Sequence, residues 1–330
     1  HGNTRLEDAD WNDGLDMAHG KGESVPFSAA FSANLATLAR YCRLLSEKGS
    51  SLLSLPSEML CLIKPGLPVA LLNDPAKLQA VLQDYFIRVE EGKISGEYIS
   101  FDLNELSEIL DTFSEALKKQ IRDKEFISTG THDYFNGYYN NDGARLEGMI
   151  NGQEQMTLTG QVFPIMSGVA TEAQCKKAFK AAADLLKDPV HGGFRLNTHF
   201  GKMMLNMGRA FSFNYGDKEN GSFFSHMNVM FANGLYRRGL VKEGFEVIHS
   251  IYKMWKNTEK SLFFPCIPEY FNGDGRARYS YITGSAAWTV MTLLLEMFGI
   301  RGILGTLSFN PNLLAKQFDA NNAMRVQTRC

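Results

Sequence analysis

The fold class rests on residues 24–45, which read SVPFSAAFSANLATLARYCRLL. Ser24 followed by Val25-Pro26 is a typical helix start, a capping hydroxyl and then a proline in the first turn. Apolar residues then recur every three or four positions, at Phe27, Phe31, Leu35, Leu38, Cys42 and Leu45. Gly49 follows as a stop signal. The stretch therefore predicts one long amphipathic helix.

The same periodicity recurs along the chain. After Asp102 the acids lie early and Lys118, Lys119 and Arg122 late, as the helix dipole favours. Thr171 and Gln174 form a capping box for a third helix, which Asp188-Pro189 stops. Further helices are predicted at about 75–91, 226–238, 241–257 and 285–299.

Between the helices lie polar, glycine-rich loops at 128–153, 187–202, 212–222 and 269–284. This alternation predicts an all-α fold, part of an (α/α)6 toroid-type barrel with its loops at one end. A helical repeat array is the alternative, but the helices follow no fixed period. From Gly305 onward, Leu307-Ser308-Phe309 alternates like a strand and predicts the start of a C-terminal β-rich domain.

Composition excludes several classes of protein. With 44% hydrophobic residues and a formal charge of −2 over 330 residues, the chain lacks the basic field expected of nucleic-acid or membrane binding. Its five cysteines form no C-x-x-C pair, which predicts free thiols in the cytoplasm, without disulfides or a metal site.

The most apolar stretch, 282–300, contains Gly284, Ser285 and Glu296 and is predicted to be a buried helix. Since a dense polar motif follows directly on His1, we expect a piece of a longer protein.

The first constellation of chemical interest is Glu7–Asp16, with five acids in ten residues. A calcium loop starting at Asp8 fails, because its sixth position is Asp13 instead of glycine and its twelfth is His19 instead of glutamate. A solvated acidic turn remains open. Sugar chemistry fits better, since Trp11 can stack on a pyranose while a partly desolvated carboxyl donates a proton to a glycosidic oxygen.

Two further constellations suggest anion binding. In 218–228 an Asn-Gly turn places Lys218 and Glu219 on a loop, and His226 near a helix start could add positive charge to free N–H groups. The alternative is a capping or core histidine. Thr283-Gly284 before an apolar helix is an anion-binding helix start and equally an ordinary N-cap. Neither a nucleotide-binding motif nor a zinc-protease or serine-hydrolase motif is present.

Together, D-W-N-D at 10–13, K-E-N-G at 218–221 followed by H-x-N at 226–228, and T-G-S-A-x-W at 283–288 resemble the catalytic region of glycoside hydrolase family 94. That family contains cellobiose, chitobiose and β-glucan phosphorylases. The resemblance runs from residue 8 to about 315 and is clearest at 8–16, 214–228 and 279–303.

The resemblance implies roles for individual residues. Asp13 matches the general acid and Trp11 a sugar contact beside it. Donor-sugar contacts are matched by Lys218 and Glu219, and the phosphate cradle by His226, Thr283 and Gly284. Tyr215 corresponds to a subsite tyrosine, in a loop of different length, and Glu269 replaces a family glutamine.

It also implies a domain organisation and an activity. Residues 1–302 would be the C-terminal portion of the catalytic barrel, with an insertion at about 50–100, and 303–330 the beginning of a truncated β domain. The activity would be reversible inverting phosphorolysis of a β-linked glucan or gluco-disaccharide to an α-sugar 1-phosphate. Inorganic phosphate is then the co-substrate, no cofactor is needed, and a homodimer is compatible with the family.

Two alternatives remain. An inverting hydrolase on the same barrel would need a second carboxylate facing Asp13, for which Glu269 and Glu219 are the candidates. A non-catalytic carbohydrate-binding fragment would need no such pair.

Overall fold

A computed structural model of the protein describes residues 1–63, 67–72, 74–90, 92–303 and 305–325. Helix α1, Val25–Glu47, begins where Ser24 Oγ accepts a hydrogen bond from the Phe27 amide at 3.0 Å. It ends just before Gly49, whose φ of +94° no L side chain adopts readily. The predicted start and stop of this helix are therefore both confirmed. Of its periodic apolar residues, Leu35 and Cys42 are buried, whereas Phe31, Leu38 and Leu45 are exposed.

The other predicted helices lie close to their predicted positions, whereas the helices at 67–72, 159–166 and 258–261 were not predicted. After α1 come α2 (Leu67–Leu72), α3 (Pro75–Glu90) and α4 (Leu103–Lys124), the last capped by the Asp102 carboxylate. Helices α5 (Thr159–Met166) and α6 (Glu172–Leu185) come next, α6 with the predicted Thr171–Gln174 capping box. They are followed by α7 (Ser225–Arg237), α8 (Val241–Lys256), α9 (Thr258–Ser261) and α10 (Trp288–Met291). Residue 91, the predicted end of α3, lies outside the described residues.

The helix predicted at 285–299 is helical but irregular. Two π-helical turns, Ile282–Ala287 and Thr292–Met297, flank α10. It is also less buried than expected, because Ile282 and Val290 are exposed. Among the described residues, no helix combines the length and apolarity needed to cross a membrane.

Short antiparallel strands connect the helices, so the all-α prediction is wrong in this respect. β1 (Thr4–Arg5), β2 (Glu23–Ser24) and β7 (Tyr138–Tyr139) form one sheet. β10 (Phe223–Phe224), β11 (Pro268–Phe271) and β12 (Ala277–Ser280) form another. Two-stranded pairs are β3 (Leu52–Pro56) with β4 (Tyr98–Asp102), β5 (Phe126–Ser128) with β6 (Asp133–Phe135), and β8 (Gly148–Ile150) with β9 (Gln153–Gln155). Pairing of this kind satisfies the backbone N–H and C=O groups of the interhelical loops.

The fold is helix-rich, and its helices pack as neighbours. α1 lies against α4 and α5, while α7 lies between α5 and α8. The main core gathers buried side chains of α5, α6, α7 and α8 together with the aromatic residues of β6 and β10. Closure of these helices into a toroid remains a prediction.

The two ends of the segment 50–100 meet, because β3 pairs with β4 from Leu52↔Asp102 to Pro56↔Tyr98. That this segment is an insertion remains a prediction. At the other end, β13 (Ile300–Ile303) and β14 (Thr306–Phe309) form a hairpin, which confirms the predicted strand. Residues 304 and 326–330 of the predicted β domain lie outside the described residues.

A buried carboxylate fixes the segment that leads from β7 to α5. Glu147 accepts hydrogen bonds from the backbone amides of Gly137, Tyr138 and Thr157 and from the Thr157 hydroxyl. Burial raises its pKa to about 7, against these hydrogen bonds. Tyr138, held in this way, extends its hydroxyl toward the N-terminal loop described next.

Candidate active site

One cavity of about 380 Å³ brings together residues from distant parts of the chain. Its walls come from the N-terminal loop, the turn at 209–213, the loop before α7, and β11. The lining residues are Trp11, Asn12, Asp13, Arg209, Phe213, Lys218, Glu219, Phe224, His226, Glu269 and Tyr281. Six of these are residues that the sequence pointed to: Trp11, Asp13, Lys218, Glu219, His226 and Glu269.

The N-terminal loop is anchored by Asp10. Its carboxylate accepts hydrogen bonds from Ser24 Oγ at 2.7 Å, from the Asn12 amide at 2.8 Å and from the Tyr138 hydroxyl at 3.3 Å. Burial raises the Asp10 pKa to about 6, although these hydrogen bonds oppose the rise. Since Ser24 also caps α1, Asp10 connects the cavity loop to the start of that helix.

Two glycines allow this loop to lie directly on the turn at Arg209–Ser212. A Cβ at Gly14 would lie 2.8 Å from the Ala210 Cβ, and one at Gly208 only 2.1 Å from the Gly14 carbonyl oxygen. The Ala210 amide donates to that same carbonyl at 2.9 Å. Only glycine fits at either position, and the close approach brings Arg209 to the cavity.

Arg209 bridges two carboxylates of the N-terminal loop. Its Nη1 lies 2.6 Å from Oδ2 of Asp16, and its Nη2 lies 3.5 Å from Oδ2 of Asp13. Burial alone would raise the Asp16 pKa, but hydrogen bonds from the Arg209 amide and guanidinium outweigh it and hold that pKa below its usual value. Arg209 is thus fixed by Asp16 and presents its remaining donors near Asp13.

The Asp13 carboxyl is more exposed to solvent than the partial desolvation that we expected from the sequence. Its side chain is 75% exposed, and it faces the open cavity beside Arg209. The reason is that Asn12 and Gly14 on either side carry the buried contacts of the loop, which leaves Asp13 at its tip. Desolvation of this carboxyl would require a bound molecule to cover it.

Trp11 and His226 meet at the cavity wall. The Trp11 indole N–H donates to Nδ1 of His226 at 3.3 Å. Burial lowers the His226 pKa to about 4, so the ring is neutral near pH 7, and the expected positive charge is wrong for this arrangement. An indole N–H can only donate, so Nδ1 accepts and the neutral ring carries its proton on Nε2. That Nε2 is buried and has no hydrogen-bond partner among the described residues.

The loop before α7 supplies the predicted Lys218 and Glu219. Its Asn-Gly turn is confirmed, with Gly221 at φ +76°. The pKa values of Glu219 and Glu269 are both raised, mainly by burial and further by the nearby Asp13. The ammonium of Lys218 opposes both rises and the guanidinium of Arg209 opposes that of Glu219, so two positive and three acidic side chains influence one another across the cavity.

Tyr215 does not line the cavity. Its hydroxyl donates to the Asn197 carbonyl at 3.1 Å, and its ring packs where a Cβ on Gly221 would have to lie, 2.2 Å from Cε2. Its place in the structure is therefore behind the Lys218–Gly221 loop, which it supports.

Thr283 and Gly284 are not among the lining residues either. Thr283 is exposed, and a Cβ on Gly284 would lie 2.1 Å from Cε1 of Tyr281. The Tyr281 ring therefore packs against Gly284 and lines the cavity in its place. A π-helical turn, preceded by Tyr281 without a side-chain cap, begins here instead of the expected capped α-helix.

Arg209, Asn12, Phe213, Phe224 and Tyr281 were missed by the sequence reasoning. Arg209 and Phe213 follow no periodic pattern, and only the neighbouring Gly208 marks a close approach. Within the described ranges, no group of three or more His, Cys, Asp or Glu side chains is arranged to hold a metal ion.

Comparison with known proteins places the chain in a family. The sequence model of the glycosyl hydrolase 94 superfamily, catalytic domain, matches residues 97–299. No curated protein matches the chain. The match includes Arg209, Lys218, His226 and Glu269, whereas Trp11 and Asp13 lie before it.

Two solved structures are similar over part of the chain. An uncharacterized conserved protein from Thermus thermophilus is 15% identical with a TM-score of 0.38, over 66% of this chain and 45% of that one. A GH63 mannosylglycerate hydrolase from the same organism, in complex with Tris, is 14% identical with a TM-score of 0.37, over 66% and 43%. The chain thus spans less than half the length of either structure. Because the family match at 97–299 covers more than half of its 330 residues, the chain belongs to the glycosyl hydrolase 94 superfamily through its catalytic domain.

Proposed function

We propose that the protein cleaves β-linked glucans or gluco-disaccharides by inverting phosphorolysis, with Asp13 as the proton donor. The observation that carries the proposal is the cavity in which the exposed Asp13 carboxyl, the Trp11–His226 pair and the cationic Arg209 and Lys218 meet. The family match supports an enzyme acting on glycosides.

In the proposed reaction, Asp13 transfers its proton to the glycosidic oxygen while a phosphate oxygen attacks the anomeric carbon from the opposite face. The bond between the anomeric carbon and the glycosidic oxygen breaks, and a bond to phosphate forms with inverted configuration. The products are an α-sugar 1-phosphate and the shortened saccharide. Phosphate is already an anion, so no carboxylate base has to activate it. Sugar bound over Asp13 would supply the desolvation that a proton donor needs.

Phosphate recognition would use neutral donors as well as charge. The Nε2–H of His226 lacks a partner among the described residues and suits a phosphate oxygen, and the approaching anion would raise the low His226 pKa. We assign Thr283 and Gly284 to the phosphate cradle only if the Tyr281 ring moves away from Gly284. The cradle would then gain the free amides of the π-helical turn.

A second candidate is inverting hydrolysis, which the two further carboxyls of the cavity favour. Glu219 and Glu269 face the same space as Asp13, and either could activate a water molecule. The candidates differ in product, because hydrolysis releases free sugar whereas phosphorolysis releases a sugar 1-phosphate.

The deciding experiment measures cleavage of β-linked gluco-oligosaccharides with and without phosphate, and phosphate release from α-glucose 1-phosphate with the same acceptors. The proposal expects cleavage only with phosphate. Equal cleavage in phosphate-free buffer would overturn it in favour of hydrolysis, and Glu219→Gln and Glu269→Gln would then identify the base. Asp13→Asn separates an enzyme from a sugar-binding fragment. The enzyme loses nearly all turnover but keeps its sugar affinity, whereas a fragment that only binds sugar keeps its affinity and has no turnover to lose.

A further inference from the structure

Lys218 and Tyr279 share an unusual backbone conformation and touch through their side chains. Their φ values are +49° and +50°, in the left-handed region that residues other than glycine rarely adopt. The ammonium of Lys218 lies 4.6 Å from the centroid of the Tyr279 ring and 5.7 Å from that of Tyr270. Both distances are within the range of a cation–π interaction.

At Lys218 the conformation belongs to a tight turn, which the Asn220 amide closes by donating to the Asp217 carbonyl at 3.1 Å, whereas Tyr279 lies within the strand β12. Asn and Asp tolerate the left-handed region because their short side chains bond to the nearby backbone, whereas lysine and tyrosine gain nothing of the kind. Such strain persists where the surroundings impose it, and it is concentrated at functional sites. Here Lys218 lines the cavity, and Tyr279 lies next to it, because the β11–β12 register sets Tyr279 opposite the lining residue Glu269.

We propose that Tyr279 is a positioning residue, which holds the Lys218 ammonium at the cavity wall as a hydrogen-bond donor for the hydroxyl groups of the bound sugar. The aromatic face binds the cation without using any carboxylate oxygen. The N–H groups of the ammonium that do not face the ring therefore remain available to the sugar, whereas a direct ion pair with Glu269 would occupy both an N–H group and a carboxylate oxygen. Glu219 and Glu269, under the influence of the same ammonium, stay available as acceptors for sugar hydroxyl groups. This inference rests on the proposed action on a β-linked sugar.

The test replaces the ring while it leaves the lysine in place. Tyr279→Leu should raise the KM for β-linked glucotriose about ten-fold with a smaller effect on kcat, because substrate positioning is lost. Tyr279→Phe keeps the aromatic face and should restore most of that loss. Lys218→Met should have the same effect as Tyr279→Leu, and the double variant should lose no more than either alone.

A matched control is Tyr41→Leu, which removes another exposed cation–π pair, that of Arg40 with the Tyr41 ring at 5.1 Å on α1. This control should leave KM unchanged, and thermal unfolding should show that all variants fold. An unchanged KM in Tyr279→Leu would overturn the inference, as would a Tyr279→Phe variant as impaired as Tyr279→Leu.

Calorimetric titration with β-1,2-, β-1,3- and β-1,4-linked glucotriose without phosphate separates this inference from the proposed reaction. If the wild-type protein binds one of them, cleaves none in phosphate, and loses binding in Tyr279→Leu, phosphorolysis fails while the role of Tyr279 stands. If the wild-type protein binds none of them, both fail.

Discussion

Trp11 and His226 are 215 residues apart in sequence, yet the Trp11 Nε1 donates to the His226 Nδ1 at 3.3 Å. This hydrogen bond determines which nitrogen of the neutral imidazole carries the proton. It also couples the loop that carries Asp13 to the start of α7. One contact therefore joins the loop of the proposed proton donor to the histidine proposed to bind phosphate.

The first prediction is that Trp11→Phe raises the KM for phosphate about ten-fold, because Nδ1 loses its donor and the ring no longer favours the Nε2–H tautomer. Phenylalanine retains an aromatic face for the sugar. Steady-state kinetics in varied phosphate measures the effect. In a His226→Ala background the same change should do nothing to that KM, and an undiminished effect there would contradict the coupling.

The second prediction concerns Arg209. We expect Arg209→Lys to lower kcat/KM about 10- to 100-fold, because an ammonium cannot bond the Asp16 carboxylate and reach Asp13 with a rigid fork. Arg5→Lys is the control, since Arg5 donates to the His19 and Gly20 carbonyls of the same N-terminal loop and does not line the cavity. Wild-type kcat/KM in Arg209→Lys would show that this bridge is dispensable.

Third, Gly208→Ala should separate the N-terminal loop from the Arg209 turn. The new Cβ would lie 2.1 Å from the Gly14 carbonyl oxygen, so the backbone must shift, at a cost of about 2 kcal/mol or more in the free energy of unfolding. Activity should fall with it, since Arg209 and Asp13 would move apart. Gly302→Ala, where a Cβ meets nothing within 4 Å, is the control for denaturant unfolding and kinetics.

Fourth, the pH dependence of stability should reveal Glu147. Its pKa in the folded protein, about 7, lies above its ordinary value of 4.5, so between these pH values the native state binds more protons than the unfolded state. The contribution of Glu147 to the free energy of unfolding should therefore rise as the pH falls from about 7 toward 4.5, by up to about 3 kcal/mol, while His226, whose pKa is lowered to about 4, contributes with the opposite sign in both the wild-type protein and the variants. Glu147→Gln should remove this component from urea titrations at several pH values. Glu47→Gln, at the exposed end of α1, should retain it, and an identical pH profile in both variants would contradict the assignment.

Capping residues and short-range periodicity in the sequence predicted most of the long helices. The Ser24 cap, the Thr171–Gln174 capping box and the strand at 306–309 depend on residues within four positions of one another, and the structure has all three. The same rules failed at 282–297, where the Tyr281 ring against Gly284 accompanies a π-helical turn instead of a capped α-helix.

The candidate site was only partly readable from sequence. Asp13, Lys218, Glu219 and His226 could be identified as candidates by residue type, because acids, amines and imidazoles can act in binding or catalysis. The location of Arg209 at the cavity could not be predicted, since it depends on the close approach of Gly208 to Gly14. The neutral state of His226 depends on burial by neighbours remote in sequence.

The sequence by itself therefore determined most of the long helices and part of the set of residues that could act on a sugar, because short-range periodicity and side-chain chemistry are local properties. Only the tertiary structure decided which of those residues share a cavity, how exposed Asp13 is, and where the His226 proton lies. These depend on contacts between loops up to about 200 residues apart, whose conformations follow from packing and hydrogen bonding and have no period to read.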